Sequence, residues 1–263
     1  MTEWITAAIG AVGMLLAAYM YHEAHLDRVL YHEFSYEEYP KGMEPISLFF
    51  ISDIHRRLIS DSIISEVKDK AQAVIIGGDL AEKGVPVSRI EQNLTRLSKI
   101  GPVFFIWGNN DSEVGVQTLE NLFGLYGITV LNGQTYELEA NSGSVTLIGI
   151  DDLTRNPKPF RGLEDKAKSA PFSILLSHQP AIMKQLPEDS GLSLVLSGHT
   201  HGGQIRLFGI GPYQKGSIRK HGKTIQLVSN GYGTSLLPLR LGAKPETHLI
   251  TLSGQSCQNG NLS

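Results

Sequence analysis

The sequence predicts an α/β fold, in which a two-sheet sandwich with outer helices follows an apolar N-terminal helix. Short apolar runs of about four to eight residues recur along the chain and end in glycine or polar residues, as buried strands do. Amphipathic segments of helical period separate the first three runs, so strand and helix alternate as in layered α/β proteins. A charge-free apolar segment precedes all of them.

The composition is that of a folded protein with enough residues for a sizeable core. Of 263 residues, 41% are hydrophobic and 19% are charged, and the net charge is −3 with histidine neutral. No basic block stands out, so no nucleic-acid partner is expected. The single cysteine, Cys257, excludes a disulfide framework and a cysteine-rich zinc site. Any metal site must therefore use His, Asp, Glu and Asn.

Residues 1–21 are predicted to form a transmembrane anchor. The stretch from Trp4 to Tyr21 has no charged residue and reaches the length of about 17–20 residues that a membrane-spanning helix needs. A buried core helix and a cleaved signal peptide are the alternatives, but no basic residue precedes the segment as a signal peptide requires. Arg28 and Lys41 follow it, which favours a cytoplasmic catalytic domain. We expect a single-pass protein of the cell membrane.

The rest of the chain divides into three predicted segments. Residues 22–43 are polar and aromatic-rich and are expected to be a juxtamembrane connector, lying at the lipid interface or packed on the domain. Residues 44–253 form the predicted catalytic domain, without a visible repeat or internal boundary. Residues 254–263 are expected to be a disordered tail.

The predicted elements follow the apolar pattern in chain order. Strands that end in metal-capable side chains are predicted at 46–55, 73–79, 102–111, 172–180 and 192–203. Helices are predicted between the first three of these strands, at 60–71 and 86–100. Further strands are predicted at 128–138, 144–152, 203–208, 224–231 and 247–252.

Polar residues at the ends of five consecutive strands predict one shared site, because α/β folds bind ligands at the carboxyl ends of central strands. Each residue alone is weak evidence, since an Asp-x-His is usually a turn feature and a lone buried histidine is usually part of the core. Within GHTHGGQ (198–204), both histidines reach one centre either along a strand, where alternate residues share a face, or on a glycine turn. We call these residues the seven-residue cluster: Asp53, His55, Asp79, Asn109, His178, His199 and His201.

The motifs SDIH, GGDL, GNND, SHQP and GHTHGGQ occur in that order. This set resembles the calcineurin-like metallophosphoesterase superfamily, and most closely its membrane-associated bacterial branch. The resemblance covers about residues 46–252 and implies a four-layer α/β/β/α metallophosphoesterase sandwich. It also implies two divalent metal ions (Mn, Fe, Zn or Co), with Asp79 bridging them. One ion takes Asp53, His55, Asp79 and His201, and the other takes Asp79, Asn109, His178 and His199.

The third motif departs from the family pattern, which reads Gly-Asn-His-Asp or Gly-Asn-His-Glu. Asn110 stands where the family has the histidine that protonates the leaving group, and an amide cannot donate a full proton at neutral pH. We therefore expect a leaving group that needs little protonation, as in a diphosphate linkage or an aryl diester. The neighbouring Asp111 is either a proton donor or a partner of a metal-binding histidine. Asn110 and Asp111 are the candidate catalytic residues.

Several other charged residues have two interpretations. Arg56, Arg57, Arg155 and Arg240 either hold a substrate phosphate or are solvated loop residues. Five histidines outside the motifs are expected at the surface: His22, His25, His32, His221 and His248.

The expected function is metal-dependent hydrolysis of a phosphodiester or diphosphate, in a small molecule or a lipid, at a membrane. A metal-bearing regulatory or interaction domain with little turnover is one alternative. Hydrolysis of soluble nucleotides, with the anchor serving only location, is another. The intact seven-residue cluster favours an enzyme, because a domain that had lost catalysis would be expected to lose ligands.

Overall fold

The computed structural model describes residues 1–158 and 160–255, which fold into two six-stranded sheets. In spatial order, the first sheet contains β1 (Val29–Tyr36), β12 (Thr247–Gly254), β2 (Ile46–Ile51), β3 (Ala73–Ile76), β4 (Val103–Phe105) and β5 (Thr129–Val130). The second contains β10 (Ser217–His221), β11 (Thr224–Val228), β9 (Leu194–Ser197), β8 (Ser173–Leu176), β7 (Gly143–Gly149) and β6 (Gln134–Ala140).

Helices lie before and between these strands. They are α1 (Thr2–Ala24), α2 (Asp61–Val67), α3 (Val87–Leu97), α4 (Val116–Tyr126) and α5 (Glu164–Ser169). Short 3₁₀ turns occupy Asp111–Val114, Pro180–Lys184 and His201–Gly203.

Alternate residues of β2 divide between two apolar layers, as the two-residue period of a strand requires. Leu48 and Phe50 pack between the two sheets. Phe49 and Ile51 face the opposite way, against α2, α3 and α4. On the second sheet, Ile148 points outward into a third apolar cluster with Ala167 of α5. The four-layer α/β/β/α sandwich is confirmed.

Parallel pairing places the functional strand ends together. Strands β2, β3 and β4 run parallel in the first sheet, and β8 and β9 run parallel in the second. The strands predicted to end in metal-capable residues are these five, so each sheet delivers its polar ends to one edge. The predicted helices at 60–71 and 86–100 correspond to α2 and α3.

Two predicted strands differ from the structure. The segment 128–138 is split, because Thr129–Val130 pairs with β4 whereas Gln134–Ala140 pairs with β7, and Gly133 has a φ of +67° at the break. The prediction for residues 203–208 is wrong. Gln204 and Phe208 have positive φ values of 48° and 51°, which are incompatible with an extended strand, and the segment keeps only isolated bridges.

The predicted connector contributes a strand to the fold. Strand β1 pairs in parallel with β12 along its whole length, from Val29 opposite Thr247 to Tyr36 opposite Gly254. The first sheet therefore extends upstream of residue 44. Gly254, the first residue of the predicted tail, ends β12, and residues 256–263 of that tail lie outside the described residues.

Helix α1 is long and apolar enough to cross a membrane, and its apolar stretch makes no buried contact with the domain. Its 23 residues span about 34 Å at 1.5 Å per residue, compared with about 30 Å of bilayer hydrocarbon. The alternative of a buried core helix is therefore wrong. Only the C-terminal end of α1 is buried, at Glu23 and Ala24.

One histidine expected at the surface is buried. His248 is 2% exposed, and its Nδ1 lies 3.0 Å from Nε2 of His32 while its Nε2 lies 2.9 Å from Ser229 Oγ. Burial lowers the pKa of His248 to about 3, so the ring is neutral. No local motif predicts this burial, because the two partners of His248 come from β1 and from the loop after β11.

Candidate metal centre

The structure brings all members of the seven-residue cluster together. One half of the cluster surrounds His201. Its Nε2 lies 3.0 Å from Nε2 of His55 and 3.4 Å from Oδ1 of Asp53. His55 Nε2 in turn lies 3.7 Å from Oδ2 of Asp79. These are the four residues that the family resemblance assigns to one ion.

The other half surrounds His178. Its Nε2 lies 3.4 Å from the same Asp79 Oδ2, 3.2 Å from Asn109 Oδ1 and 3.3 Å from His199 Nδ1. His199 Nδ1 also lies 2.9 Å from Asn109 Oδ1. Oδ2 of Asp79 thus contacts an imidazole in each half of the cluster. Asp53 also lies near both halves, because it offers ligand atoms within 4.8 Å of those of His55 and His201 and of those of Asp79 and His178.

These separations fit the binding of metal ions. Donors that sit about 2.0–2.2 Å from one cation are about 3 Å apart, which is the spacing seen here between nitrogen and oxygen atoms of the cluster. His178 also contacts Gly77 O through Nδ1, at 2.9 Å, which leaves Nε2 free as the ligand atom. Imidazole, carboxylate and amide oxygen donors suit divalent transition metals.

Backbone strain is concentrated at the cluster. Five of its members have φ in the left-handed region: Asp53 (53°), His55 (51°), Asp79 (52°), His199 (69°) and His201 (49°). Each such conformation costs about 1–3 kcal/mol for a residue other than glycine, although Asp and His tolerate it better than most. The surrounding fold holds these residues in a strained arrangement that aims their side chains at one point.

The turn interpretation of GHTHGGQ is correct. Strand β9 ends at Ser197, and His201 begins a 3₁₀ turn that is capped by Thr200, whose Oγ1 accepts from Gly202 N at 3.3 Å. A Cβ on Gly198 would lie 2.5 Å from Ser52 Oγ, so only glycine lets this turn approach the loop after β2. His199 N consequently donates to both carboxylate oxygens of Asp53 at 3.1 Å.

Each half of the cluster contains one histidine with a raised pKa and one with a lowered pKa. Burial disfavours the charged form of His178, but Asp79 and Asp53 outweigh it and raise the pKa of His178 to about 10. Burial lowers the pKa of His201 to about 3, and burial together with His178 lowers the pKa of His199. Burial opposes ionisation of Asp79, yet His178 and His55 hold its pKa well below the usual range.

Asp111 braces the backbone rather than a histidine. It is fully buried, and its Oδ2 accepts from the amides of Asp79 and Gly108 at 2.8 Å each. Its Oδ1 accepts from Ala81 N at 3.3 Å. Burial and the nearby Asp79 carboxylate raise the pKa of Asp111 to about 7. Asp111 therefore fixes the strained Asp79 loop and does not face the cleft.

Asn110 lies at the cleft wall. Its backbone N donates to Asp79 Oδ1 at 2.8 Å, and its Oδ1 accepts from Asn109 Nδ2 at 2.7 Å. Its Nδ2 lies 3.4 Å from Oε1 of Glu113. The side chain orients Asn109 while offering no ionisable proton to a ligand.

Glu82 is a site residue that the sequence interpretation missed. Its Oε2 lies 3.0 Å from Nδ1 of His55, and its other oxygen pairs with Arg56 Nε. Burial opposes protonation of His55, but the hydrogen bond to Glu82 and the carboxylates of Asp79 and Asp53 raise its pKa. The position of Glu82 three residues after Asp79 was the available signal. Arg56 is engaged with Glu82 and with Lys83 O rather than free for phosphate.

The other arginines are also occupied within the fold. Arg240 is fully buried and donates to the carbonyls of His201 (3.1 Å) and Asn230 (2.7 Å), so it supports the 3₁₀ turn from behind. Arg57 donates to carbonyls at the end of α1. Arg155 lies over the Trp107 ring at 5.5 Å. Of the two interpretations left open for these arginines, the structure does not support phosphate binding in the cleft, since none of the four is among its lining residues.

A cleft of about 310 Å³ opens over the cluster. Asp79, Asn109, His199 and His201 form part of its wall, together with aromatic and apolar side chains from two loops. Among the described residues that line it, none is a lysine or arginine. A larger depression of about 1020 Å³ lies beside Ala170 and Thr224, and no described member of the cluster lines it.

A family model described as calcineurin-like phosphoesterase matches residues 46–203. The chain belongs to the calcineurin-like phosphoesterase family. The matched range begins at β2 and ends with the 3₁₀ turn His201–Gly203, so it contains all seven cluster residues.

Relatives extend this similarity beyond the family model. The chain is 40% identical to the uncharacterized protein YpbG of Bacillus subtilis (strain 168) over 95% of this chain and 97% of that one. It is 29% identical to the phosphodiesterase YaeI of Escherichia coli (strain K12), covering 79% and 82%. It is 30% identical to a transmembrane protein with metallophosphoesterase domain from Danio rerio, covering 94% and 61%. This calcineurin-like phosphoesterase is a metal-dependent hydrolase.

Metal affinity is expected to rise with pH. His178 has a raised pKa of about 10 and binds a proton below that pH, so a cation that uses its Nε2 must displace the proton. Titration calorimetry with Mn²⁺ between about pH 6 and pH 8 should give stronger binding at higher pH, by up to about tenfold per pH unit for one released proton. Repeating the titration in buffers of different ionisation enthalpy counts the protons. Affinity that is independent of pH would contradict this picture.

Asp111→Asn is expected to weaken metal binding by about 10–100-fold without abolishing it. The Asp111 carboxylate accepts hydrogen bonds from three backbone amides that hold the Asp79 loop, and in asparagine only one of the two side-chain positions can still accept. Calorimetric titration with Mn²⁺ measures the change. Glu113→Gln is the matched control. Glu113 lies in the same 3₁₀ turn as Asp111 and also accepts from a backbone amide, that of Lys83, but it does not contact Asp79. Equal affinity in wild type and Asp111→Asn would exclude a positioning role.

Proposed function

We propose that this chain is a membrane-anchored phosphoesterase with a dinuclear metal centre, hydrolysing a phosphodiester or diphosphate that is carried on a lipid. The observation that carries the proposal is the division of the seven-residue cluster into two contact groups that share Asp79. Asp53, His55, Asp79 and His201 would hold one ion, and Asp79, Asn109, His178 and His199 the other. When bound, Mn, Fe, Zn or Co supplies Lewis-acid activation of water and neutralises charge on the phosphoryl group.

The protein supplies orientation around these ions. Glu82 and Gly77 O hold the outer nitrogens of His55 and His178, which fixes the rings and directs each Nε2 into the cleft. Asp111 holds the amide of Asp79. Because the described cleft lining contains no lysine or arginine, binding of a phosphate depends on this metal-holding set rather than on a basic pocket.

The substrate class follows from the chemistry at Asn110. The Asn110 side chain hydrogen bonds to Asn109 and lies 3.4 Å from Glu113. Because it is an amide, it cannot transfer a proton to a departing alkoxide. Asp111 is buried behind the loop. A reaction in this cleft therefore proceeds best when the leaving oxygen is already stable as an anion, as in a diphosphate or an aryl ester.

Membrane attachment is part of the proposal. Helix α1 has the length and composition of a single span, and the Danio rerio relative is named as a transmembrane protein. The basic residues Arg28 and Lys41 after α1 support a cytoplasmic catalytic domain. A lipid-borne phosphate ester is a substrate that such a tether would keep within reach.

The activity test uses the full-length chain in detergent or nanodiscs, loaded with Mn²⁺, and a soluble bis-aryl phosphate. Turnover is expected for wild type and for Asp189→Asn, a solvent-exposed carboxylate control. Asp79→Asn is expected to lose activity almost completely, because both halves of the cluster contact this carboxylate. Metal-loaded wild-type protein without turnover on aryl, diphosphate or lipid phosphoester substrates would favour the regulatory alternative.

The leaving-group preference is tested separately, by plotting log kcat/KM against leaving-group pKa for a series of diesters. Wild type should show a steep fall toward alkyl leaving groups. Asn110→His should recover alkyl substrates by about 10²-fold or more while changing aryl substrates little, because it restores a proton donor. A flat wild-type plot with good alkyl turnover would reject the preference.

A further inference from the structure

Two loops at the mouth of the cleft expose large apolar side chains. We call Leu207, Phe208, Ile210, Leu236 and Leu237 the apolar rim. Phe208 is 101% exposed and Leu236 is 94% exposed, and neither packs on the described domain. Leu236 and Tyr213, which follows the first loop, line the cleft itself. The rim is therefore the surface that anything entering the cleft must pass.

The first rim loop is a tight turn with an unusual residue at its tip. Ile210 N donates to Leu207 O at 2.9 Å, and both central residues have positive φ, 51° at Phe208 and 81° at Gly209. Two-residue turns of this kind strongly favour Asn or Asp before the glycine. A phenylalanine there is unfavourable for the backbone and for solvation, so its placement calls for a partner outside the domain.

The second rim loop has the same character. Leu237 N donates to Ser235 O at 2.8 Å, which closes a three-residue turn around Leu236. Leu236 has a φ of 61°, a conformation that bulky residues rarely adopt. Its side chain is thrust outward as a result.

Both loops are braced onto the turn that carries His201. Arg206 donates to Gly209 O at 2.7 Å through Nη2 and to Gly202 O at 2.9 Å through Nη1. Gln204 donates to the carbonyls of Ser235 and Leu237 at 2.9 Å and accepts from Ser235 N at 2.9 Å. The rim is thus held open in a fixed position relative to the candidate metal centre, instead of collapsing onto the domain.

Helix α1 leaves the domain beside this rim. Tyr19 borders one surface depression together with Leu207 and Phe208. Ala24 and His25, at the end of α1, border another together with Leu236. The rim therefore flanks the end of the apolar helix on two sides.

Hydrogen bonds fix the end of α1 to the domain. Arg57 donates to the carbonyls of Ala24 (3.3 Å), His25 (2.8 Å) and Leu26 (2.9 Å), which end the helix. Arg240 N donates to Met20 O at 3.0 Å. A bilayer that holds α1 must consequently lie against the face from which α1 emerges, because the domain cannot swing away from it.

The charges beside the rim suit a lipid surface. Lys215 and Lys244 are exposed and border the same depression as Tyr19 and Phe208. Lysines next to exposed aromatic and aliphatic side chains are typical of surfaces that dip into the headgroup region of anionic membranes. Tyr19, which borders this depression, and the exposed Tyr21 are aromatic residues of the kind enriched at membrane interfaces.

We propose that the apolar rim inserts into the bilayer interface beside α1, so that the cleft opens at the level of the lipid headgroups. The occupant of the rim is the membrane itself, with anionic lipid near Lys215 and Lys244. This arrangement rests on the proposed anchoring by α1, and it would deliver a lipid-borne phosphoester to the cleft without extracting its acyl chains into water.

Spin labels on the full-length chain test the proposal without relying on catalysis. Single cysteines are introduced in a Cys257→Ser background as Phe208→Cys, Ile210→Cys and Leu236→Cys. Val12→Cys, in the exposed middle of α1, reports on anchoring, and Leu125→Cys, 73% exposed on α4 at the opposite edge of the first sheet, is the aqueous control. Each protein is reconstituted in vesicles of phosphatidylcholine and phosphatidylglycerol, and collision rates with oxygen and a water-soluble nickel chelate are measured.

The expected result is a several-fold higher oxygen-to-nickel collision ratio at the rim labels than at Leu125→Cys, approaching that of Val12→Cys. Rim labels that match Leu125→Cys while Val12→Cys is in the bilayer would overturn the rim proposal and leave anchoring intact. A water-exposed Val12→Cys label would overturn both. Rim labels protected from both reagents would indicate burial against a second copy or another protein, and would also overturn the proposal. Two labels on the 207–210 turn guard against a local effect of replacing Phe208.

Discussion

The geometry of the seven-residue cluster depends on the Asp79 carboxylate, which is buried between two groups of histidines. His55 and His178 approach the same Oδ2 from opposite halves of the cluster, at 3.7 and 3.4 Å. Two carboxylates and four imidazoles in a largely buried space are costly unless opposite charges compensate one another. The raised pKa values of His178 and His55 show that protons can provide part of that compensation. We propose that divalent cations take the place of those protons.

The fold supports the cluster mainly through buried side chains that hydrogen bond to the backbone of the loops carrying it. Five cluster residues occupy the left-handed region of φ, and the loops that carry them are fixed by groups lying behind the cleft. Asp111 accepts amides from the loops after β3 and β4. Arg240 fills its donors with carbonyls around the His201 turn. Strain at the site is sustained because these buried hydrogen bonds hold the loops in place.

The same bracing links the candidate centre to the surface. Gln204, the last residue of GHTHGGQ, clamps the loop that carries Leu236, and Arg206 joins the Phe208 turn to Gly202. These two residues lie three and five positions after His201, so one short segment positions the candidate ligand His201, the mouth of the cleft and the proposed membrane contact. The end of α1, held by Arg57, completes the same face.

The five strands that end in cluster residues, and the convergence of the seven-residue cluster, were predictable, because buried runs and their polar ends are local features of the sequence. Strands β1 and β10 were not predicted. Other features depend on contacts between distant segments and were not predictable. Asp111 was interpreted as a proton donor or a histidine partner, but it accepts hydrogen bonds from backbone amides. Arg240 was interpreted as a phosphate ligand or a solvated loop residue, but it is buried and donates to backbone carbonyls. His248 has no local motif and is buried by partners from β1 and the Ser229 loop. The 203–208 segment reads as a strand, yet the side chains of Gln204 and Arg206 bind loops that only the tertiary fold brings near.

Anomalous diffraction from crystals of the full-length protein grown with Mn²⁺ tests the central claim most directly. The account predicts two anomalous peaks about 3.5–4 Å apart on either side of the Asp79 carboxylate. One peak should lie among His55, His201 and Asp53, and the other among Asn109, His178 and His199. A single peak at saturating Mn²⁺, or two peaks that do not share Asp79, would contradict it.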